Sequence, residues 1–136
     1  MASIYELAAS ERARIHHLLA AELARELDVA FAYLYGSFAE SQSFHDIDIG
    51  VYLDGLANSS ERQGALTERL SSLLKMPADV RVLNDAPVTF LYHVLRGELL
   101  FSRDDLLLAA VMEDTFRRYL DIAPLLRHSM KEAFAE

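Results

Sequence analysis

The sequence predicts an α/β (α+β) sandwich in which helices alternate with about four strands. Three observations carry that reading. Apolar residues recur at helical spacing over residues 5–27, 58–75 and beyond 103. Between them lie short apolar runs, 29–35, 47–53 and 79–83, with turn-forming residues near their ends. Hydrophobic residues make up 52% of a 136-residue chain, enough for a real core and against disorder. Alternation of the two element types, with no repeat and no low-complexity stretch, favours one layered domain over residues 1–136.

The elements follow in order. Residues 5–27 form an amphipathic helix with Leu7, Ile15, Leu18, Leu19, Leu23 and Leu27 near one face. Val29–Tyr35 stops at Gly36 and reads as a buried strand, its Tyr33 and Tyr35 being core aromatics. A short helix can follow Ser37. Ile47–Leu53 is the second strand, and Asp54-Gly55 a turn. Asn58 or Ser59 caps a helix to about Lys75, with Leu66, Leu70, Leu73 and Leu74 inward and Pro77 ending it. Asp79–Leu83 is a third strand. Asp85, as a cap, and Pro87 open a helix to Arg96, and Gly97–Phe101 is a fourth strand or edge hairpin. Ser102 and Asp105 have capping-box spacing before a C-terminal helical tail over about 103–134, which Pro124 should kink or split.

Composition narrows the function. No apolar run approaches the roughly 18 residues that a membrane span needs. Glu6, Glu11, Glu22 and Glu26 near the start argue against a signal or transit peptide, and a cytoplasmic address is expected. Cysteine is absent, which removes disulfides, thiolate metal sites and cysteine nucleophiles. A formal net charge of −8 disfavours direct binding of nucleic acid. A basic protein, or a phosphate ligand carried on metal ions, fits it better.

The chemistry concentrates in YLYGSFAESQSFHDIDIGVYL, residues 33–53. Alternation along a strand puts Asp46, Asp48 and Gly50 on one face and Ile47, Ile49 and Val51 on the other, core-facing one. The two carboxylates then project side by side, about 7 Å apart at the backbone. Unneutralised, they repel; a divalent cation removes the repulsion and uses both as oxygen ligands. Such a pair can bridge two metal ions for in-line phosphoryl or nucleotidyl transfer. Gly36 lets a ligand approach the backbone, and Ser37 at a helix start offers a hydroxyl and free N–H groups to phosphate. Asp79 can add a third carboxylate from a neighbouring strand. Arg81, on the same face, can meet phosphate or balance the acids. Blander readings stand beside these: two acids on a solvent-facing strand, and a serine that only caps a helix. His45 reads as a loop or core histidine, and His16-His17 as surface without zinc-protease spacing. Arg117-Arg118 reads as a solvated face. P-loop and dinucleotide-binding glycine motifs are absent.

GSFAESQSFHDIDIGVYL resembles the Gly-Ser…Asp-x-Asp signature of the DNA polymerase β-like nucleotidyltransferases, and DVRVLNDAPVTFLYHVLRGELLFSRDD the segment that follows it in their minimal nucleotidyltransferase (MNT) group. FRRYLDIAPLLRHSM looks like the tail of antitoxins paired with HEPN toxins. The resemblance implies a mixed sheet flanked by helices, Mg²⁺ (two ions) and ATP as substrate. It carries Gly36 and Ser37 over as triphosphate contacts, Asp46 and Asp48 as metal ligands and Asp79 as the third acid. The implied activity is transfer of AMP to a tyrosine of a partner HEPN ribonuclease, which silences it. The loop length and two positions depart from the pattern. Eight residues separate Ser37 from Asp46, a shortened loop; Ser41 stands where Gly is common, and His45 where Ser precedes the first acid. Two other functions are therefore weighed: an inactive antitoxin acting by binding alone, and a transferase for a small molecule, which the lack of a second domain disfavours. Exposed apolar positions on the last helix could serve a homodimer or a hetero-oligomer.

Overall fold

The computed structural model describes residues 4–55 and 58–133. Its elements are β1 (Tyr5–Glu6), α1 (Ala9–Ala24), β2 (Val29–Tyr35), α2 (Ser37–Glu40), β3 (Ser43–Phe44), β4 (Ile47–Leu53), α3 (Ser59–Leu74), β5 (Ala78–Val82), α4 (Val88–Leu95), β6 (Glu98–Ser102) and α5 (Asp105–Ala133). Four strands form one mixed sheet in the order β5-β4-β2-β6. β2 runs antiparallel to both β4 and β6, and β4 is parallel to β5, the connection that requires α3 as a crossover.

Both faces of this sheet are covered. One carries Ile15, Leu19 and Leu23 of α1 and Leu66, Leu70 and Leu74 of α3 against Ile47, Ile49, Val51 and Val80. The other carries Leu91, Val94 and Leu95 of α4 and Leu108 of α5 against Phe31, Tyr33 and Tyr35. A central strand with two covered faces has no polar side, so all seven residues of β2 are buried. Gly50 is where α4 comes closest to β4: a Cβ there would lie 2.8 Å from Val94 Cγ1 and 3.1 Å from Leu83 Cδ2. The Asp46–Asp48–Gly50 face is thus closed at Gly50 and open only at its acidic end.

Several local expectations are corrected. The first helix starts at Ala9, because Tyr5 and Glu6 pair with Phe44 and Ser43 in a separate two-stranded sheet. It ends at Ala24, so Leu27 falls in the following turn and is exposed. Leu73 also faces water, since only the narrow stripe Leu66, Leu70, Leu74 points at the sheet. Asn58 does cap α3, accepting from Glu61 N–H at 3.1 Å. The cap of α5 is Asp104, which accepts from Leu107 N–H at 3.1 Å, rather than Ser102. Asp85 caps nothing: α4 begins after Pro87 without a side-chain cap. The neighbouring Asn84 instead bonds both Leu53 N–H (2.9 Å) and Leu53 C=O (2.8 Å), holding the β5–α4 turn to the end of β4. Pro124 does not split α5, which is one helix through Ala133. Proline costs about 3 kcal/mol inside a helix, and exposed Leu120 and Leu125 leave water free to solvate the backbone carbonyl it deprives. Position 134 of the expected tail lies outside the described residues.

Candidate active site

Strand register assembles the acids. Asp48 pairs with Tyr35 on β2 and with Asp79 on β5, in one row across three strands. Asp46 immediately precedes β4, two residues from Asp48 and on its face. As a result, one carboxylate oxygen from each of Asp46, Asp48 and Asp79 lies within 4.8 Å of the other two, the spacing of ligands around a single cation. All three are half-buried. Arg81 Nε donates to Asp79 Oδ2 at 3.2 Å from a side chain that is 54% exposed, so the guanidinium borders the acids without filling the space among them.

The electrostatics follow from this crowding. Burial, then the charges of Asp46 and Asp79, push the Asp48 carboxyl up to about 6, against the weaker opposing effects of Arg81 and His93. Tyr35, whose ring meets those of Phe90 and His93 edge-on, has its phenol pushed far up by burial and by Asp48, and stays protonated. Three hard oxygen donors brought this close together fit a divalent cation of the Mg²⁺ type.

Gly36 is required twice over. Its φ of +78° and ψ of −158° belong to a region that only glycine occupies easily, and a Cβ there would stand 2.3 Å from Asp48 Oδ2. Backbone and acid are therefore in contact at the corner where β2 becomes α2. Ser37 opens α2, and Gly36 C=O accepts from Ala39 and Glu40 N–H, both at 3.1 Å. The structure thus brings Gly36 against the acids and Arg81 against Asp79, with Ser37 one residue further along the chain. Sequence reasoning missed Arg12, which bonds the carbonyls of Phe38 and Gln42 in the short loop leading to Asp46. Its partners lie 26 and 30 residues away, beyond any local pattern. A hollow of about 530 Å³ beside Arg12, lined also by Glu6, Leu7 and Gln42, has none of the three acids in its wall.

Comparison with known proteins gives a consistent fold. Residues 18–106 match the family model described as polymerase beta, nucleotidyltransferase. Among solved structures, the chain resembles one from a complex of a tri-AMPylated Shewanella oneidensis HEPN toxin with an MNT antitoxin (TM-score 0.69, 21% identity, covering 90% of this chain and 98% of that one). It also resembles chains of the toxin–antitoxin MntA-HepT (TM-score 0.60, 21% identity, 86% and 98%) and of a toxin–antitoxin structure with AMP-PNP (TM-score 0.62, 21% identity, 85% and 98%). At these identities the likeness is one of fold. No curated protein matches the chain. Among the described residues, no helix is long and apolar enough to cross a membrane. With the family match spanning well over half its length, the chain belongs to the polymerase beta nucleotidyltransferase family.

Proposed function

We propose that the chain is an antitoxin that transfers AMP from ATP to a tyrosine hydroxyl of a HEPN ribonuclease toxin in the cytoplasm and so silences it. The single observation that carries the reading is the convergence of Asp46, Asp48 and Asp79 beside the Gly36-Ser37 corner. The AMPylated HEPN toxin and the AMP-PNP in structures of similar fold support the choice of acceptor and nucleotide. Residues 1–136 act as one nucleotidyltransferase domain with a helical tail, to which the acceptor brings its own surface.

Asp46, Asp48 and Asp79 would hold two Mg²⁺ ions. Bound there, the ions supply neutralisation of the triphosphate and acidity at the acceptor hydroxyl. The protein's own residues do the rest. Gly36, whose missing side chain leaves room for Asp48 against the backbone, turns the chain at the corner where the triphosphate lies; Ser37 hydroxyl and the first N–H groups of α2 bond its oxygens. Arg81 adds a positive charge at the phosphate side of Asp79. Asp79 receives the proton of the acceptor hydroxyl as its oxygen bonds the α-phosphorus and the bond to the β-phosphate oxygen breaks, releasing pyrophosphate.

The test is incubation with α-labelled ATP, Mg²⁺ and the HEPN-type product of the adjacent gene. Label on that partner, lost with Asp46→Ala plus Asp48→Ala, is expected. Label that persists in the double variant rejects the site. Silencing of the toxin without label favours binding alone, the reading to which the shortened 38–45 loop lends weight.

A further inference from the structure

We infer that Arg12 is a positioning residue for nucleotide binding: its guanidinium clamps both arms of the loop that joins the Gly36-Ser37 corner to Asp46. The inference rests on the proposed nucleotidyl-transfer reading of that corner.

The loop needs such a clamp. Its regular structure is one four-residue helical turn, α2, and a two-residue strand, β3, with Glu40, Ser41, Gln42 and Ser43 exposed between and around them. Arg12, from α1, spans the gap. Nη1 donates to Phe38 C=O and Nη2 to Gln42 C=O, each at 2.5 Å. The same guanidinium lies over the rings of Phe38 (5.0 Å) and Phe44 (5.3 Å), which themselves meet edge-on at 4.8 Å. Four contacts from one side chain therefore fix one residue next to Ser37 and another two residues before Asp46. Both hydrogen bonds are charge-assisted, and only a planar fork reaches two divergent carbonyls while stacking on two rings. The β1–β3 pair, with Tyr5 stacked on Phe44 at 5.6 Å, backs the far arm. The acids Asp48 and Asp79 are held independently by the ladder of β2, β4 and β5, and Asp46 by its neighbour Ile47, whose N–H donates to Pro77 C=O at 3.0 Å. Removing the clamp should thus loosen the triphosphate side of the site and spare the metal side.

Calorimetric titration of Arg12→Lys and Arg12→Ala tests this split. Affinity for AMP-PNP with Mg²⁺ is expected to fall about 10-fold or more, the loss of one charge-assisted bond. Affinity for Mn²⁺ alone should stay within about twofold, because the strand ladder is untouched. Millimolar guanidinium should restore nucleotide binding to Arg12→Ala, through the solvent-open hollow beside Arg12. Hydrogen exchange should rise in residues 37–44, short of the metal ligand Asp46, and in the β1 residues paired with them. Arg12→Lys keeps the charge and aliphatic stem, so it reports even where Arg12→Ala fails to fold. Wild-type nucleotide affinity and wild-type exchange in both variants overturn the clamp. If the wild type itself binds no nucleotide, the functional reading falls, and exchange over 37–44 alone decides the clamp: raised exchange upholds it, unchanged exchange overturns it.

Discussion

Replacing Asp48 by Asn should move stability and activity in opposite directions. The Asp48 carboxyl is raised from 3.8 to about 6, first by burial and then by Asp46 and Asp79. A carboxyl raised on folding favours the fold in its neutral form. That contribution is complete below the unfolded value and is lost as pH climbs through about 6. At pH 8 without metal, the ionised group therefore opposes folding. A shift of about two units corresponds to roughly 3 kcal/mol in full; Asp48 is only half-buried, so after solvent screening about 1–2 kcal/mol remains. Asp48→Asn removes that penalty at nearly constant volume. In EDTA at pH 8 the variant should be about 1–2 kcal/mol more stable by urea unfolding, with a melting temperature roughly 3–7 °C higher. Below about pH 4 the two proteins should converge. Adding Mg²⁺ should stabilise the wild type and leave the variant unmoved, and AMP transfer should vanish in the variant. A variant less stable than wild type in EDTA at pH 8, or a stability gap independent of pH, refutes the electrostatic reasoning.

Other outcomes follow from the same geometry. Gly36→Ala must place a Cβ 2.3 Å from Asp48 Oδ2 at a φ of +78°; unfolding should show a loss of about 1–3 kcal/mol and titration a loss of nucleotide binding. Gly50→Ala meets Val94 and Leu83 and should cost about 1–3 kcal/mol by overpacking, with nucleotide affinity per folded molecule preserved. Arg81→Ala breaks an exposed ion pair and should change stability by less than about 1 kcal/mol, while titration should show weakened nucleotide binding. Asn84→Ala strands both polar groups of Leu53 and should destabilise by about 1–3 kcal/mol, read by urea unfolding.

How legible was this in the sequence? The strands β2, β4 and β5 were, because each is a short apolar run between turn residues and because period-two alternation fixes which way Asp46 and Asp48 point. The convergence of Asp79 was reachable only as an expectation, since it depends on β5 pairing parallel to β4 in a register that puts Asp48 opposite Asp79. The contact of Gly36 with Asp48 is likewise a product of the β2–β4 register. Least legible were contacts with no local signature: Tyr5 and Glu6 reading as helix until Phe44 offers an edge, Arg12 reaching carbonyls across the fold, and Asn84 holding Leu53. Backbone carbonyls leave no mark on composition or periodicity, so a side chain that serves them looks like any surface residue until the chain is folded.

The most direct measurement is calorimetric titration of Mn²⁺ in the presence of AMP-PNP, for the wild type and for Asp46, Asp48 and Asp79 each changed to Asn. Saturable binding by the wild type, weakened at least about 10-fold by every one of the three changes, is the expected result. Equal Mn²⁺ affinity in wild type and Asp79→Asn would contradict a shared cation centre across β4 and β5.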